Sequence, residues 1–413
     1  MIKNKIKNLW KIPIFKYTLV VHLLFFILST ILTLIFFREL NDFRVYYRAG
    51  EIALTNFKEI YNPAYYDWPF RYLPLAAFYF IPFSLMSFDF GFIIFNTLNL
   101  LLNVIIIIYL YKIWILIRRE DHEKEEDRII LYICLFLLSL PQIFNYILGQ
   151  INLYITFFIV YSLYLFIKSD QMKIQFIASL LLGISVLFKP ITIFMFPFII
   201  LTHYNYDEKK FKLEFSKSVV RLIGALIPLA INAIFFFIFP ALLHDFIAIN
   251  ITGETNTLVN YSFSITKLIT NFSYLIGIPT SVLVQSQIYV MISILLILGG
   301  IGFFIFIFRR FSRFSIINGY SLGILIMLLA YFDSWDHHLL ILIPILIIII
   351  FNIPRKSKIT RKYIKPSLFF FNFFDLLFIG LYLIVQNFFP FNFIPTIFLI
   401  ISFLGVSIIL LKK

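Results

Sequence analysis

The sequence predicts an all-α integral membrane protein with one polytopic domain that covers residues 1–413. Hydrophobic residues make up 61% of the chain and charged residues 14%, whereas soluble domains have about 45–50% and about 25%. The apolar residues stand in long runs, and a run of about 18 residues crosses the hydrocarbon layer as a helix. Runs such as residues 339–351 lack the alternation of a barrel strand. Because only helices and closed barrels span lipid, we expect a helical bundle.

The apolar runs predict about 11–14 transmembrane helices. The expected spans cover residues 17–37, 73–87, 90–111, 129–148, 151–167, 174–188, 191–202, 219–239, 287–308, 314–332, 339–351, 367–386 and 393–411. Residues 272–284 are too short and too polar to be assigned as a span.

The basic residues predict how these spans are oriented. Cytoplasmic loops carry an excess of Lys and Arg, so the five lysines within residues 1–16 place the N-terminus in the cytoplasm. By alternation, the segments expected outside are 38–72, 149–150, 241–271 and 333–338. The predicted cytoplasmic segments hold 27 of the 35 Lys and Arg residues. The net charge of +14 is therefore attributed to orientation in the cell membrane, and no nucleic-acid partner is expected.

The stretch between residues 72 and 112 presents a conflict in this topology. Its two ends are expected on opposite sides of the membrane, yet two spans, 73–87 and 90–111, lie between them. Either the first of these only dips into the membrane, or the acidic loop 120–127 lies outside. Pro74 and Pro82 favour a partial span, because proline interrupts a helix.

The first predicted outside loop, residues 38–72, departs from the charge pattern of the chain. Five of the eight basic residues outside the cytoplasmic segments lie here, and Arg44, Arg48 and Arg71 are candidates for binding an anionic group at the membrane surface. The alternative is a solvated loop with interfacial aromatic residues. Asp42, beside these arginines and close to Tyr46, is a candidate general base toward a hydroxyl near the headgroups. The alternative role of Asp42 is that of a helix cap or an interface residue.

A second polar cluster, residues 333–338, is predicted on the same side as the first loop and contains Trp335, His337 and His338. Paired histidines suggest a metal site, but adjacent helical residues point about 100° apart, so one ion rarely binds both. The lone Cys134 supplies no cysteine cluster. We therefore predict no metal and no cofactor. The histidines are expected to hydrogen-bond a phosphate or sugar, or to be plain interfacial residues.

Two polar breaks between hydrophobic segments supply further candidates. Gln150 and Asn152 follow Gly149, and either bind substrate or join helices by hydrogen bonds. Lys189 stands in apolar sequence, where an unpaired charge costs several kcal/mol. It is expected to face a cavity or an anion, or to extend its ammonium to the interface.

These landmarks occur in an order that resembles a known family. Its motifs are Asp42-Phe43-x-Val45-Tyr46-x-x-Ala49-Gly50, Tyr61-Asn62-Pro63, Phe70-Arg71-Tyr72-x-Pro74-Leu75, Gly149-Gln150-x-Asn152, Lys189-Pro190 and Trp335-x-His337-His338. In this order they are similar to the polyprenyl-phosphate-mannose-dependent α-mannosyltransferases, glycosyltransferase family 87 of the GT-C superfamily. The family usually has Tyr-Pro-Pro where this chain has Tyr72-Leu73-Pro74.

The resemblance implies a GT-C-type bundle with an extracytoplasmic catalytic loop after the first span. It implies Asp42 as catalytic base, a polyprenyl-phosphate-linked sugar as donor, and a lipid-linked or cell-surface glycan as acceptor. The transferred hexose would be mannose, with inversion at the anomeric carbon. The residues expected to stabilise the leaving phosphate or bind substrate are Arg44, Tyr46, Arg48, Arg71, Gln150, Asn152, Lys189, Trp335, His337 and His338. The alternatives are a transporter or flippase of lipid-linked sugars, transfer of another sugar or to protein, and a non-catalytic scaffold.

Overall fold

Helices form nearly all of the chain in the computed structural model, which describes residues 12–118, 122–252, 262–309, 312, 314–374 and 394–412. Within these ranges, six helical stretches have the length and composition to cross a membrane. They are α1 (Pro13–Phe36), α4 (Phe88–Ile117), the pair α5 (His122–Leu137) and α6 (Leu140–Leu148), α9 (Phe215–Ile238), α12 (Thr280–Ile307) and α16 (Ile394–Lys412). The protein is an all-α integral membrane protein, as the apolar runs predict.

Shorter helices complete the bundle. They are α2 (Phe43–Thr55), α3 (Pro74–Ser84), α7 (Asn152–Lys168), α8 (Met172–Phe188), α10 (Pro240–Ile247), α11 (Ile265–Leu275), α13 (Ser315–Ala330), α14 (Leu339–Asn352) and α15 (Lys365–Phe369). A 3₁₀ helix covers Pro190–Ile199 and shorter ones cover Phe57–Glu59, Pro63–Tyr65 and Asp336–His338; π-helical turns cover Ala248–Thr252, Thr360–Ile364 and Phe370–Phe374. The centre of the bundle is formed by α7, α13 and α14, whose side chains are mostly buried.

Helix α3 explains the conflict between residues 72 and 112. With 11 residues and a rise of 1.5 Å per residue, α3 is about 16 Å long and too short to cross a bilayer. The Arg38–Asp89 ion pair, 3.0 Å long, joins the end of α1 to the start of α4. Both ends of the intervening segment therefore lie at one end of the bundle, and α4 has the length and composition to cross a membrane by itself. The first alternative, a partial span, fits the structure.

Several predicted spans differ in detail. The span 129–148 is broken at Ser139, after which a new helix begins at Leu140 with Pro141 in its first turn. The span 191–202 is the 3₁₀ helix Pro190–Ile199, followed by an unpredicted hairpin of β1 (Thr202–Asn205) and β2 (Lys210–Leu213). Parts of the predictions lie outside the described residues: the basic N-terminal residues before 12, residues 119–121 of the cytoplasmic loop, 253–261 of the loop 241–271, and the span 367–386 beyond residue 374.

Helices α8 and α9 pack at close range through a glycine, which yields a stability prediction. A Cβ atom at Gly183 would overlap the backbone carbonyl oxygen of Ala225, whereas one at Gly300 in α12 would meet nothing within 4 Å. We expect Gly183→Ala to lower the free energy of unfolding by about 1–3 kcal/mol through overpacking. Gly300→Ala, the matched control, should leave it equal or higher. Thermal unfolding midpoints in detergent measure both, and equal midpoints would contradict the close packing.

Candidate functional site

Asp42 lies in the turn between α1 and α2, where backbone and side-chain bonds hold it against the end of α6. Its amide donates to the Leu148 carbonyl oxygen at 2.9 Å, and Gln150 Nε2 donates a short hydrogen bond to Asp42 Oδ2. Asp42 stands at the N-cap position of α2, but its side chain makes no capping bond. The Asp42 carboxylate is therefore oriented by Gln150 rather than by the helix that Asp42 precedes.

Gly149 makes the contact between Asp42 and Gln150 possible. It ends α6 with φ of 61°, in the left-handed region that glycine adopts without steric cost. A Cβ atom at Gly149 would lie 2.7 Å from the Cβ of Phe43, the residue after Asp42. A side chain at position 149 would therefore push the two loops apart.

A chain of buried hydrogen bonds extends from Gln150. Tyr46 OH lies 2.6 Å from Tyr72 OH and donates to Gln150 Oε1 at 3.2 Å. Asn152 Nδ2 donates to the same oxygen at 3.4 Å, and Lys189 Nζ donates to Asn152 Oδ1 at 2.8 Å. The two polar breaks and the first loop thus meet in one network.

The cluster 333–338 lies at the same end of the bundle, where its Asp333 contacts Arg71. Arg71 forms a short ion pair with Asp333 and lies 3.5 Å from Tyr331 OH. Trp335 Nε1 donates to the other oxygen of Asp333, and the Trp335 amide donates to His338 Nδ1 at 3.1 Å. The turn Asp336–His338 packs against α6, beside the segment that contacts Asp42.

Charges at this end alter the acidity of Asp42. Burial raises the pKa of its carboxyl to about 6, and Asp333 adds to the rise. The Gln150 hydrogen bond and the cations Lys189 and Arg71 oppose it. Since these groups act electrostatically on Asp42, the structure places two carboxylates and two cations in one cluster. At pH 7 Asp42 is mostly ionised and more basic than an ordinary aspartate.

The equilibria of Lys189, His337 and His338 are shifted toward the neutral forms of these groups. Burial lowers the pKa of Lys189 to about 7, against the attraction of Asp333 and Asp42. Burial and the nearby Lys189 also hold the pKa values of His337 and His338 well below the usual range. Both imidazoles are therefore neutral at pH 7, and His338 accepts the hydrogen bond of the Trp335 amide. No group of three or more metal-binding side chains occurs within the described ranges.

Two of the predicted arginines lie apart from this cluster. Arg44 is 40% exposed and pairs with Glu39 and, at 3.0 Å, with Asp67. Arg48 is 46% exposed and pairs with Glu51 at 2.6 Å. Both arginines lie at the surface of the loop, whereas Arg71 is 20% exposed and acts electrostatically on Asp42.

The structure adds residues that the sequence interpretation did not select. Asp333, Tyr72 and Tyr331 all contact predicted site residues. Buried Lys267 in α11 interacts electrostatically with Asp333 and Arg71. Lys267 could have been found from the sequence, since it is one of the few basic residues outside the predicted cytoplasmic segments.

Comparison with known proteins gives one family. The model of glycosyltransferase family 87 matches residues 70–331, which is more than half of the chain and includes Arg71, Gln150, Asn152 and Lys189. Asp42 precedes the matched segment. No significant match was found among curated proteins or among solved structures. The matched segment and the apolar helices together show that the chain belongs to glycosyltransferase family 87 and is a membrane glycosyltransferase.

Proposed function

We propose that the protein transfers a hexose, specifically mannose, from a polyprenyl-phosphate donor to a hydroxyl of a lipid-linked or cell-surface glycan. One observation carries the proposal: the half-buried Asp42 carboxylate lies in the same cluster as half-buried Arg71 and buried Lys189. A general base and the positive charge for a leaving phosphate are thus present at one place. The GT-C-type arrangement, with this cluster on the extracytoplasmic side of the cell membrane, is part of the proposal.

Asp42 is the proposed base for the acceptor hydroxyl. General bases work best when their pKa lies near the working pH, and burial raises the pKa of Asp42 to about 6. Gln150 orients the carboxylate through its short hydrogen bond to Oδ2. The hydroxyl oxygen attacks the anomeric carbon from the face opposite the phosphate as its proton passes to Asp42. Such a single displacement inverts the anomeric centre.

Arg71 and Lys189 are the proposed stabilisers of the departing phosphate. A phosphate leaving group develops negative charge on its oxygens, and fixed cations in a buried site stabilise that charge strongly. Neutral His337 and His338 supply hydrogen bonds, and Trp335 provides aromatic surface for the sugar. Tyr46 is 1% exposed and positions Gln150 through its hydroxyl. Since polyprenyl phosphate leaves without a second phosphate to neutralise, the mechanism calls for cationic side chains rather than a metal.

The position of the cluster suits a lipid-linked donor. Asp42 immediately precedes α2, and Lys189 immediately follows α8, so both lie at helix ends. A polyprenol chain remains in the bilayer, and its phosphate and sugar lie near the headgroups. A cluster at helix ends therefore meets the sugar without extracting the lipid.

Reconstitution tests this function directly. Purified protein in liposomes is given polyprenyl-phosphate mannose labelled in the sugar and a membrane extract as acceptor. We expect label in a new glycosidic product. If labelled lipid instead crosses the vesicle membrane and no glycan changes, the transporter alternative is correct. If glucose or arabinose donors react while the mannose donor does not, the sugar assignment is wrong.

Cysteine labelling tests the predicted sidedness. The lone natural Cys134 is buried, so single cysteines can be introduced at exposed Ala64, in the same predicted loop as Asp42, and at exposed Lys356, between α14 and α15. We expect Ala64→Cys to react with a membrane-impermeant maleimide in intact cells, and Lys356→Cys to react only after permeabilisation. The reverse pattern would place Asp42 in the cytoplasm and remove the basis of the proposal.

A further inference from the structure

A second polar site lies at the other end of the bundle from Asp42. It is a cleft with a volume of about 120 Å³ that opens to solvent. Its lining includes Arg221 of α9, Arg309 after α12, and Ser315 at the start of α13. The positive-inside pattern predicts that this end faces the cytoplasm.

The cleft is separate from the candidate active site. Helix α7 begins at Asn152 in the Asp42 cluster and reaches the cleft at Phe166, and 14 residues of helix span about 21 Å. Helix α8 shows the same relation, since Lys189 follows one end while Gln175, near the other, binds Arg221. A single ligand phosphate therefore cannot occupy both sites at once.

Arg221 is buried among neutral partners. Its side chain is 4% exposed, its Nε donates to Gln175 Oε1 at 2.7 Å, and its Nη1 donates to the Ile199 carbonyl at 3.0 Å. The guanidinium carbon lies 4.5 Å from the centre of the Phe166 ring. These contacts position the guanidinium without neutralising its charge.

Arg309 is held in the same way on the facing wall. It is 2% exposed, and its Nη1 donates to the Thr202 carbonyl at 3.2 Å and to that of Phe306. The guanidinium stacks 3.5 Å from the Phe306 ring centre. Within the described part of the chain, the buried Nε of Arg309 has no hydrogen-bond partner. One donor of this arginine is thus left for a ligand.

The carboxylates of the cleft do not pair with these arginines. Glu214 and Asp170 line it, but they lie 2.9 and 3.9 Å from Lys217. Neither Arg221 nor Arg309 forms an ion pair with any carboxylate in the described ranges, and Glu214 and Asp170 attract Arg221 only from beyond ion-pair distance. The described lining therefore carries three cations and two anions.

We propose that this cleft binds the phosphate of an anionic ligand between Arg221 and Arg309. A buried charge without a counterion is costly, so an anion in the cleft stabilises both guanidinium groups together. The planar, weakly hydrated guanidinium matches phosphate oxygens in pairs. The ligand is a phosphate on an anionic lipid headgroup or a free phosphate, because basic pockets between helices at the cytoplasmic surface bind such headgroups.

The experiment uses full-length protein, delipidated in neutral detergent. Native mass spectrometry and thermal unfolding measure binding of dioleoylphosphatidylglycerol, dioleoylphosphatidylcholine and inorganic phosphate. We expect phosphatidylglycerol or inorganic phosphate to bind and raise the unfolding midpoint, with phosphatidylcholine weaker. Arg221→Gln and Arg309→Gln should each weaken binding about tenfold, the effect of losing a charged hydrogen bond. Arg361→Gln, an exposed arginine after α14, is the matched control and should change nothing.

The outcomes separate the sources of the phosphate. Binding of phosphatidylglycerol alone assigns a lipid, and binding of inorganic phosphate alone assigns a soluble ligand. Equal binding of phosphatidylcholine and phosphatidylglycerol without phosphate binding, or no binding of any probe, overturns the proposal. If the arginine variants do not fold, Ser315→Asp tests the same idea, because its carboxylate supplies an internal anion. The Ser315→Asp variant should have a higher unfolding midpoint without ligand, and phosphate should no longer stabilise it. If phosphate stabilises this variant as much as the wild type, the proposed site is wrong.

Discussion

Asp42→Asn is expected to lower the turnover of sugar transfer by about 10²- to 10⁴-fold, the usual contribution of a general base. The asparagine oxygen can still accept the hydrogen bond from Gln150 Nε2, so the local structure should persist. What is lost is the capacity to take a proton from the acceptor hydroxyl. Transfer of labelled mannose under saturating donor measures the effect.

Asp67→Asn is the matched control for Asp42→Asn. Asp67 lies in the same predicted loop but is 55% exposed and pairs with Arg44 at the surface. We expect the activity of Asp67→Asn to stay within about twofold of the wild type, since surface ion pairs contribute little to stability. Full transfer by folded Asp42→Asn would show that another group takes the proton, and the mechanism would have to be assigned anew.

Lys189→Met should lower turnover by about 10²- to 10³-fold, as expected for removal of one charge from a site that stabilises a developing anion. Methionine retains the unbranched apolar stem, but the hydrogen bond to Asn152 and the positive charge are lost. Lys58→Met is the matched control, because Lys58 is an exposed lysine of the first loop. A similar loss in both variants would point to a general effect of charge.

The pH dependence of kcat/KM separates a catalytic role of Lys189 from a structural one. In the wild type, activity should rise with pH as Asp42, with a pKa of about 6, ionises. Activity should fall again as Lys189 loses its proton near pH 7. In Lys189→Met the basic limb should disappear, and the acidic limb should move to higher pH because a cation near Asp42 is gone. Lys189→Arg should move the basic limb upward, since arginine stays charged.

The class of the fold could be predicted because it depends on composition and local pattern. Long apolar runs such as residues 90–111 leave a helix as their stable form in lipid. Local breaks were harder to predict. Residues 129–148 read as one continuous apolar stretch, but a second helix begins there at Leu140, with Pro141 in its first turn. The hairpin Thr202–Asn205 and Lys210–Leu213 was missed because two four-residue strands produce little periodic signal.

The candidate site could be predicted in part, through residues whose polarity contrasts with their surroundings. Gln150, Asn152 and Lys189 interrupt apolar sequence, and the structure brings them together with Asp42. Arg44 and Arg71 could not be distinguished by sequence, since both are arginines of the same loop. Arg44 lies at the surface with Asp67, whereas Arg71 pairs with Asp333. Which arginine is buried depends on contacts with distant segments.

The amino-acid sequence by itself determined that this chain is a helical membrane protein with a few polar residues among apolar spans. Only the tertiary structure decided that Asp42 meets Gln150, 108 positions away, and that Arg71 meets Asp333, 262 positions away. It also placed Arg221 opposite Arg309 at the other end of the bundle. The physical reason is that hydrophobicity and helix formation act on neighbouring residues. Contacts between distant polar side chains depend on how the helices pack against one another.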